Sequence, residues 1–302
     1  MSELLVGTSS GLFATNGDGL QPDPGFGTRS VTALAAATGT VWGIADRRTL
    51  VRREPDGSWT DIAASAELDL GCVLATRTGV HVGTDEAHLF RLEGEDLSWV
   101  KAFESVEGRD EWYTPWGGPP AVRSMAADLA GRLHANVHVG GIPRSVDGER
   151  WEPTIDIDAD VHQVIAHPGE PDVVLAAGAV GLCVSVDGGA NWRTERDGLH
   201  SSYARAVAVS GDTVLISACT GPHGGRGALY RTRLEAGAGF EKCTAGLPEW
   251  FDGNIDSGWV AASGSIVAFG TPDGEVYRSE DAGVRWSRIA ADVPTIRWLC
   301  VT

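Results

Sequence analysis

Three histidines stand where their side chains could share a ligand or a proton. Leu133–Val139 places His134, Asn136 and His138 on one side of an extended chain, since successive strand side chains point to opposite faces. His162 opens the next apolar run, and the glycine-rich segment Thr220–Gly227 presents His223. Imidazole is both a proton carrier near neutral pH and a transition-metal ligand. His138, His162 and His223 are therefore candidate ligands of a divalent transition metal. Alternatively, His138 and His162 are a general base and its orienting partner. No spacing such as H-E-x-x-H selects between these, so the cofactor stays unknown.

A second set is cationic. Of 24 basic residues only Lys101 and Lys242 are lysines, so positive charge rests on arginine, whose fork captures anions bidentately. Arg123, Arg205 and Arg297, with Asp69 and Asp256, each follow the opening residue of a short apolar segment. They are candidates to hold a carboxylate, a phosphate or an acidic sugar. The competing reading is a self-satisfied set of Arg–Asp pairs, because clustered guanidinium groups are costly without anionic partners. A third set is aromatic. The long segment Glu104–Pro120 carries Trp112, Tyr113 and Trp116 among glycines, and Glu249–Gly253 carries Trp250. Such rings either stack on a flat ligand or cover the neighbouring structure.

These side chains need elements to position them. The chain has 302 residues, of which 40 are glycine and 14 proline, too heavily punctuated for long helices. Short apolar or alternating runs recur instead, among them Leu4–Gly7, Val31–Ala36, Val80–Gly83, Val173–Ala177, Val214–Ser217 and Ile266–Gly270. The chain reads as all-β. A net charge of −17 excludes a nucleic-acid reader that relies on a basic surface. No apolar run is long enough to span a bilayer as a helix, and Met1–Thr8 lacks the pattern of a secretory signal. A cytoplasmic location without membrane contact is expected, with the five scattered cysteines reduced and packed.

The strands repeat. Ser185, Asp187, Gly189 and Trp192 fit the pattern S-x-D-x-G-x-x-W, as do Ser279, Asp281, Gly283 and Trp286. Ser145, Asp147, Gly148 and Trp151 make the same device one residue shorter. In each, Asp accepts from backbone N–H groups, Gly takes a positive φ, and Trp packs back between strands. This resembles the Asp-box, or BNR repeat, of sialidase and sortilin-type β-propellers. The resemblance implies blades of four antiparallel strands, with these turns in structural roles. Equivalent blade starts fall at Val31, Leu68, Val122, Val161, Ala204, Ile255 and Ile296. Seven marks over the chain give about 43 residues per unit, as a four-stranded blade requires. The expected fold is one seven-bladed propeller over residues 1–302, six or eight blades being the neighbouring counts. The last mark leaves a single strand and Leu4 opens on a second-strand pattern, so the two termini should share a blade.

In such a propeller the blade starts converge on one funnel, where ligands bind. The leading expectation is a small-molecule-binding protein, an enzyme of hydrolase, lyase or isomerase type acting on an anionic ligand through the arginines, with His162 or His138 moving the proton. A second is a non-catalytic propeller for protein interaction or assembly, its acidic surface suited to a basic partner. A third is a sialidase-like glycoside hydrolase. That resemblance implies three carboxylate-binding arginines and a tyrosine nucleophile, for which Tyr203 and Tyr113 are within reach of the funnel. The family's F/Y-R-I-P motif is missing, because Gly141–Arg144 reads Gly-Ile-Pro-Arg. A monomer or weak dimer is expected.

Overall fold

The computed structural model describes residues 2–17, 19–235 and 237–302. It contains seven four-stranded antiparallel sheets, the blades of a seven-bladed β-propeller. The first strands of blades one to six are Val31–Ala37, Leu70–Thr76, Ala121–Ala127, Val161–Ala166, Tyr203–Ser210 and Val260–Ser263. Blade seven pairs the C-terminal Ile296–Val301 with Leu4–Thr8, followed by Gly11–Asn16 and Gly19–Pro22, so the termini do share a sheet. Among the described residues helix is confined to three short 3-10 turns, Lys101–Ser105, Arg109–Glu111 and Ile157–Ala159.

The chain divides into two compact units. One comprises residues 32–176 and 183–193, and its core includes Leu89, Phe103, Trp112, Val122, Leu133, Val137 and Trp151. The other comprises Met1–Val31, Ala177–Leu182 and Thr194–Thr302, with one cluster around Leu215, Phe251, Phe269, Tyr277 and Trp286 and another around Leu4, Val6, Ile296 and Leu299. All five cysteines are buried, and burial pushes the Cys72 thiol up to about 12.

At three junctions, each inside one unit, successive blades meet at a glycine. The second strand of a blade ends in Gly-Thr at Gly7-Thr8, Gly83-Thr84 and Gly270-Thr271. A Cβ on Gly83 would lie 2.6 Å from Val122 Cγ1, and one on Gly270 would lie 2.6 Å from Ile296 Cδ1. Gly7 meets Val31 in the same way. The missing side chain is thus filled by the first strand of the following blade. The threonine after it, buried in all three, latches the next turn: Thr84 Oγ1 accepts the His88 N–H at 2.9 Å, Thr271 Oγ1 accepts the Glu275 N–H at 3.1 Å, and the Thr8 hydroxyl donates to Gly11 O at 2.8 Å.

The Ser-x-Asp turns join third and fourth strands. Asp187 Oδ1 accepts from the N–H groups of Ala190 and Asn191 at 3.0 and 2.9 Å, while Ser185 Oγ accepts the Gly189 N–H at 2.8 Å. Asp281 repeats this with Val284 and Arg285 at 3.1 and 2.8 Å. Trp286 is buried in the core, and Trp192 Nε1 donates to Thr154 Oγ1 at 3.2 Å. The Asn191 amide and the two N–H groups lower the Asp187 pKa from 3.8 to about 2.

Two outcomes follow. Replacing Gly83 with Ala should cost about 1–3 kcal/mol through overpacking against Val122, read as a lower denaturation midpoint at unchanged slope. An unchanged midpoint would contradict the packing argument. Replacing Asp187 with Ala should cost about 1 kcal/mol at neutral pH, given its solvent exposure. Because the folded-state pKa lies below the unfolded one, that contribution is complete above pH 3.8 and fades as pH falls through about 2. Denaturation curves of wild type and variant should therefore converge on acidification, and a pH-independent gap would count against it.

Candidate functional site

The second strand of blade three, Leu133–His138, is buried throughout, and its alternation puts His134, Asn136 and His138 on one face as expected. Blade four is entered through the 3-10 turn Ile157–Ala159, whose start is capped by the Asp156 carboxylate accepting the Asp158 N–H at 2.9 Å. The turn ends at Asp160 in the left-handed conformation, φ 46° and ψ 65°, which Asp tolerates better than most residues. The strand that follows, Val161–Ala166, carries His162.

This geometry sets the Asp160 carboxylate between two imidazoles. Asp160 Oδ1 lies 2.9 Å from His138 Nε2, and Oδ2 lies 3.6 Å from His162 Nε2. The two rings are 5.3 Å apart between centroids, tilted by 32°. Both histidine side chains are buried, whereas that of Asp160 keeps 30% of its surface exposed. Burial lowers the His138 pKa; the hydrogen bond to Asp160 opposes this and the charge of Arg123 adds to it. Burial works to raise the Asp160 pKa, but the two imidazoles beside it outweigh that and hold the carboxyl well below the usual range. His138 Nδ1 and both amide atoms of Asn136 are buried without hydrogen-bond partners.

The segment Glu104–Pro120 reaches this cluster. Trp112 is buried against Phe103 at 5.8 Å, with the Arg109 guanidinium 4.7 Å over its ring, so it anchors the segment. Tyr113 and Val139 exchange two backbone hydrogen bonds of 3.1 Å, and the Tyr113 side chain stays exposed. Trp116 then stacks on the His138 imidazole, 5.2 Å between centroids and 28° between planes, while 64% of it faces solvent. Of the three aromatics, one packs the core, one is exposed beside the site, and one covers it.

Arg123, Arg205 and Arg297 share a feature the sequence does not announce: each sits at a bulge in the first strand of its blade. The pairing passes from Val122↔Val137 to Ser124↔Asn136, from Ala204↔Ala218 to Val207↔Ile216, and from Thr8↔Ile296 to Gly7↔Trp298. An unpaired extra residue turns the local chain and re-aims its side chain. Arg123 bears electrostatically on His138. Arg205 donates to Asp256 Oδ1 at 2.9 Å and to the Tyr203 hydroxyl at 3.4 Å, and Arg297 is exposed. Asp69 is paired with Arg47 and Arg48 at 2.8 and 2.6 Å.

His138, Asp160, His162, Arg123, Trp112, Tyr113 and Trp116 thus belong to one unit, together with Asp69. Tyr203, Arg205, Asp256, Arg297, His223 and Trp250 belong to the other. There His223 is exposed on its loop, and Trp250 lies between Lys242 Nζ, 3.2 Å from its ring centroid, and the His200 ring at 4.7 Å. The partner that the structure gives His138 and His162 is Asp160, which sequence reasoning missed. It lies in Asp158-Ala159-Asp160, directly before the blade start at Val161. Two imidazoles around one carboxylate suit cation ligation or proton transfer.

No family model and no curated protein matches the sequence. Solved structures do match in fold. An ancestral GH74 enzyme is 16% identical with a TM-score of 0.64, covering 86% of this chain and 38% of its own. The GH74 xyloglucanase from Xanthomonas campestris is 18% identical with a TM-score of 0.60, covering 87% and 45%. This chain therefore spans less than half of either GH74 protein. YCF48 bound to D1 peptide is 15% identical with a TM-score of 0.58, covering 96% of this chain and 88% of its own. At such identities the likeness is one of propeller fold, and the fold hosts enzymes and peptide binders alike.

Proposed function

We propose that this propeller, of the Asp-box type, binds an anionic small molecule at the start of blade four and acts on it as an enzyme of hydrolase, lyase or isomerase type. The observation that carries this reading is the His138–Asp160–His162 cluster covered by Trp116. Two buried imidazoles around an ionised carboxylate cost solvation that a purely structural site would avoid with apolar side chains. Arg123, aimed by its bulge and close enough to bear on His138, supplies the positive charge for the ligand. Trp116, exposed yet stacked on His138, is the movable face against which a sugar ring or planar acid would pack. Arg205 is paired with Asp256, and Asp69 with Arg47 and Arg48. A cytoplasmic location is in keeping with the five buried thiols.

A second reading, a propeller that presents its surface to a peptide or protein, is favoured by the near-complete overlap with YCF48 bound to D1 peptide. The exposed Tyr113 and Trp116 would be its contact residues.

Thermal-shift screening against citrate, glucuronate, inorganic phosphate and sulfate, followed by calorimetry, separates the readings. At least one of these acids should bind, with affinity about tenfold weaker in Arg123→Ala and Trp116→Ala. Trp116→Ala should melt within a few degrees of wild type because the ring is largely exposed. Failure of all four acids to bind, or equal affinity in both variants, would overturn the anion reading.

A further inference from the structure

We infer that His138, Asp160 and His162 form a three-ligand site for a divalent transition metal with an open coordination position. The inference rests on reading this cluster as the ligand-binding centre, and it names what the cluster holds.

The donor atoms of these three residues, and of no other group among the described residues, lie within 4.8 Å of one another. Two imidazole nitrogens and a carboxylate suit zinc, iron, cobalt or nickel rather than calcium or magnesium, which prefer oxygen alone. The spacing agrees. A tetrahedral centre with ligand bonds near 2.0–2.1 Å places its donors about 3.3 Å apart. The carboxylate–imidazole separations, 2.9 Å from Oδ1 to His138 and 3.6 Å from Oδ2 to His162, lie on either side of that value, and the three donors fall within 4.8 Å of one another.

Two further features agree. Asp160 is held in a left-handed conformation at the end of a capped turn, which fixes the carboxylate toward both rings. All three ligands come from two adjacent segments of one unit, so the site needs no element from elsewhere. Three protein ligands leave at least one position for water or an anionic oxygen, the arrangement of a catalytic rather than a structural centre. Arg123 and Trp116 then flank that position, which explains why a cation-binding set carries an arginine beside it: the incoming ligand is itself anionic.

Tag-free protein stripped with EDTA and titrated with zinc alone and with cobalt alone tests this. One ion should bind per chain, and His138→Gln, Asp160→Asn and His162→Gln, each checked by circular dichroism and melting, should bind it at least about tenfold more weakly. Copper should quench part of the tryptophan fluorescence in wild type, and that part should be lost in Trp116→Phe, which leaves every ligand in place. The copper result keeps the test valid if a ligand variant fails to fold. No stoichiometric zinc or cobalt, equal affinity in all folded variants, or quenching unchanged in Trp116→Phe would overturn the assignment. The acid screen repeated on stripped protein keeps the two proposals apart. Acid binding without metal binding removes the metal site alone, and metal binding without acid binding leaves it standing while the anion reading falls.

Discussion

The structure depends on places where no side chain fits. Where a second strand ends in Gly-Thr, the glycine lets the following first strand approach until its valine or isoleucine occupies the vacated volume, and the threonine ties down the next turn. A blade buries only part of its apolar surface alone, and stacking on its neighbour supplies the rest. The contact also fixes height and orientation. Val122 and Ile296, the residues that fill the space at Gly83 and Gly270, stand directly before Arg123 and Arg297. Packing between blades and display of the bulged arginines are thus two consequences of one close approach.

The candidate site grows from the same register. His138 closes the second strand of blade three and His162 opens the first strand of blade four, so neighbouring blades bring them together without any loop contact. The loops add what strands cannot supply. Asp160 needs a left-handed backbone that belongs at the end of a turn, and Trp116 needs a segment anchored by buried Trp112 and the Tyr113–Val139 hydrogen bonds. Rigid strands hold the imidazoles while adaptable loops bring the carboxylate and the aromatic cover, the division of labour expected where a scaffold carries a site.

Much of this was legible in the sequence because the signals were periodic. Short apolar runs, the Ser-x-Asp turns ending in Trp, and seven blade starts gave the architecture. Val31, Val161 and Ile296 are indeed the first residues of their strands, and Leu68, Val122 and Ala204 fall within two residues. Ile255 precedes its strand by five residues, because Asp256 first accepts the Trp259 N–H in a turn before pairing begins at Val260. The pairing of His138 with His162 was readable from alternation and adjacency. Asp160 was not, since nothing in composition shows that a residue will adopt a positive φ and turn its carboxylate back. The difference between Trp112 and Trp116, four residues apart, was equally hidden, because it depends on a Phe103 neighbour that only the folded segment provides. The Gly-Thr pairs were in plain sight but acquire meaning only from what fills the space beside them.

The proposed function stands on ligand meeting this protein at the His138–Asp160–His162 cluster beneath Trp116. X-ray diffraction from crystals soaked with small carboxylates and phosphates tests this. Added density is expected over His138 and His162, bounded by Arg123 and with Trp116 stacked or displaced. Density that appears only at other surfaces, with the cluster unchanged at the same soaking concentrations, would contradict it.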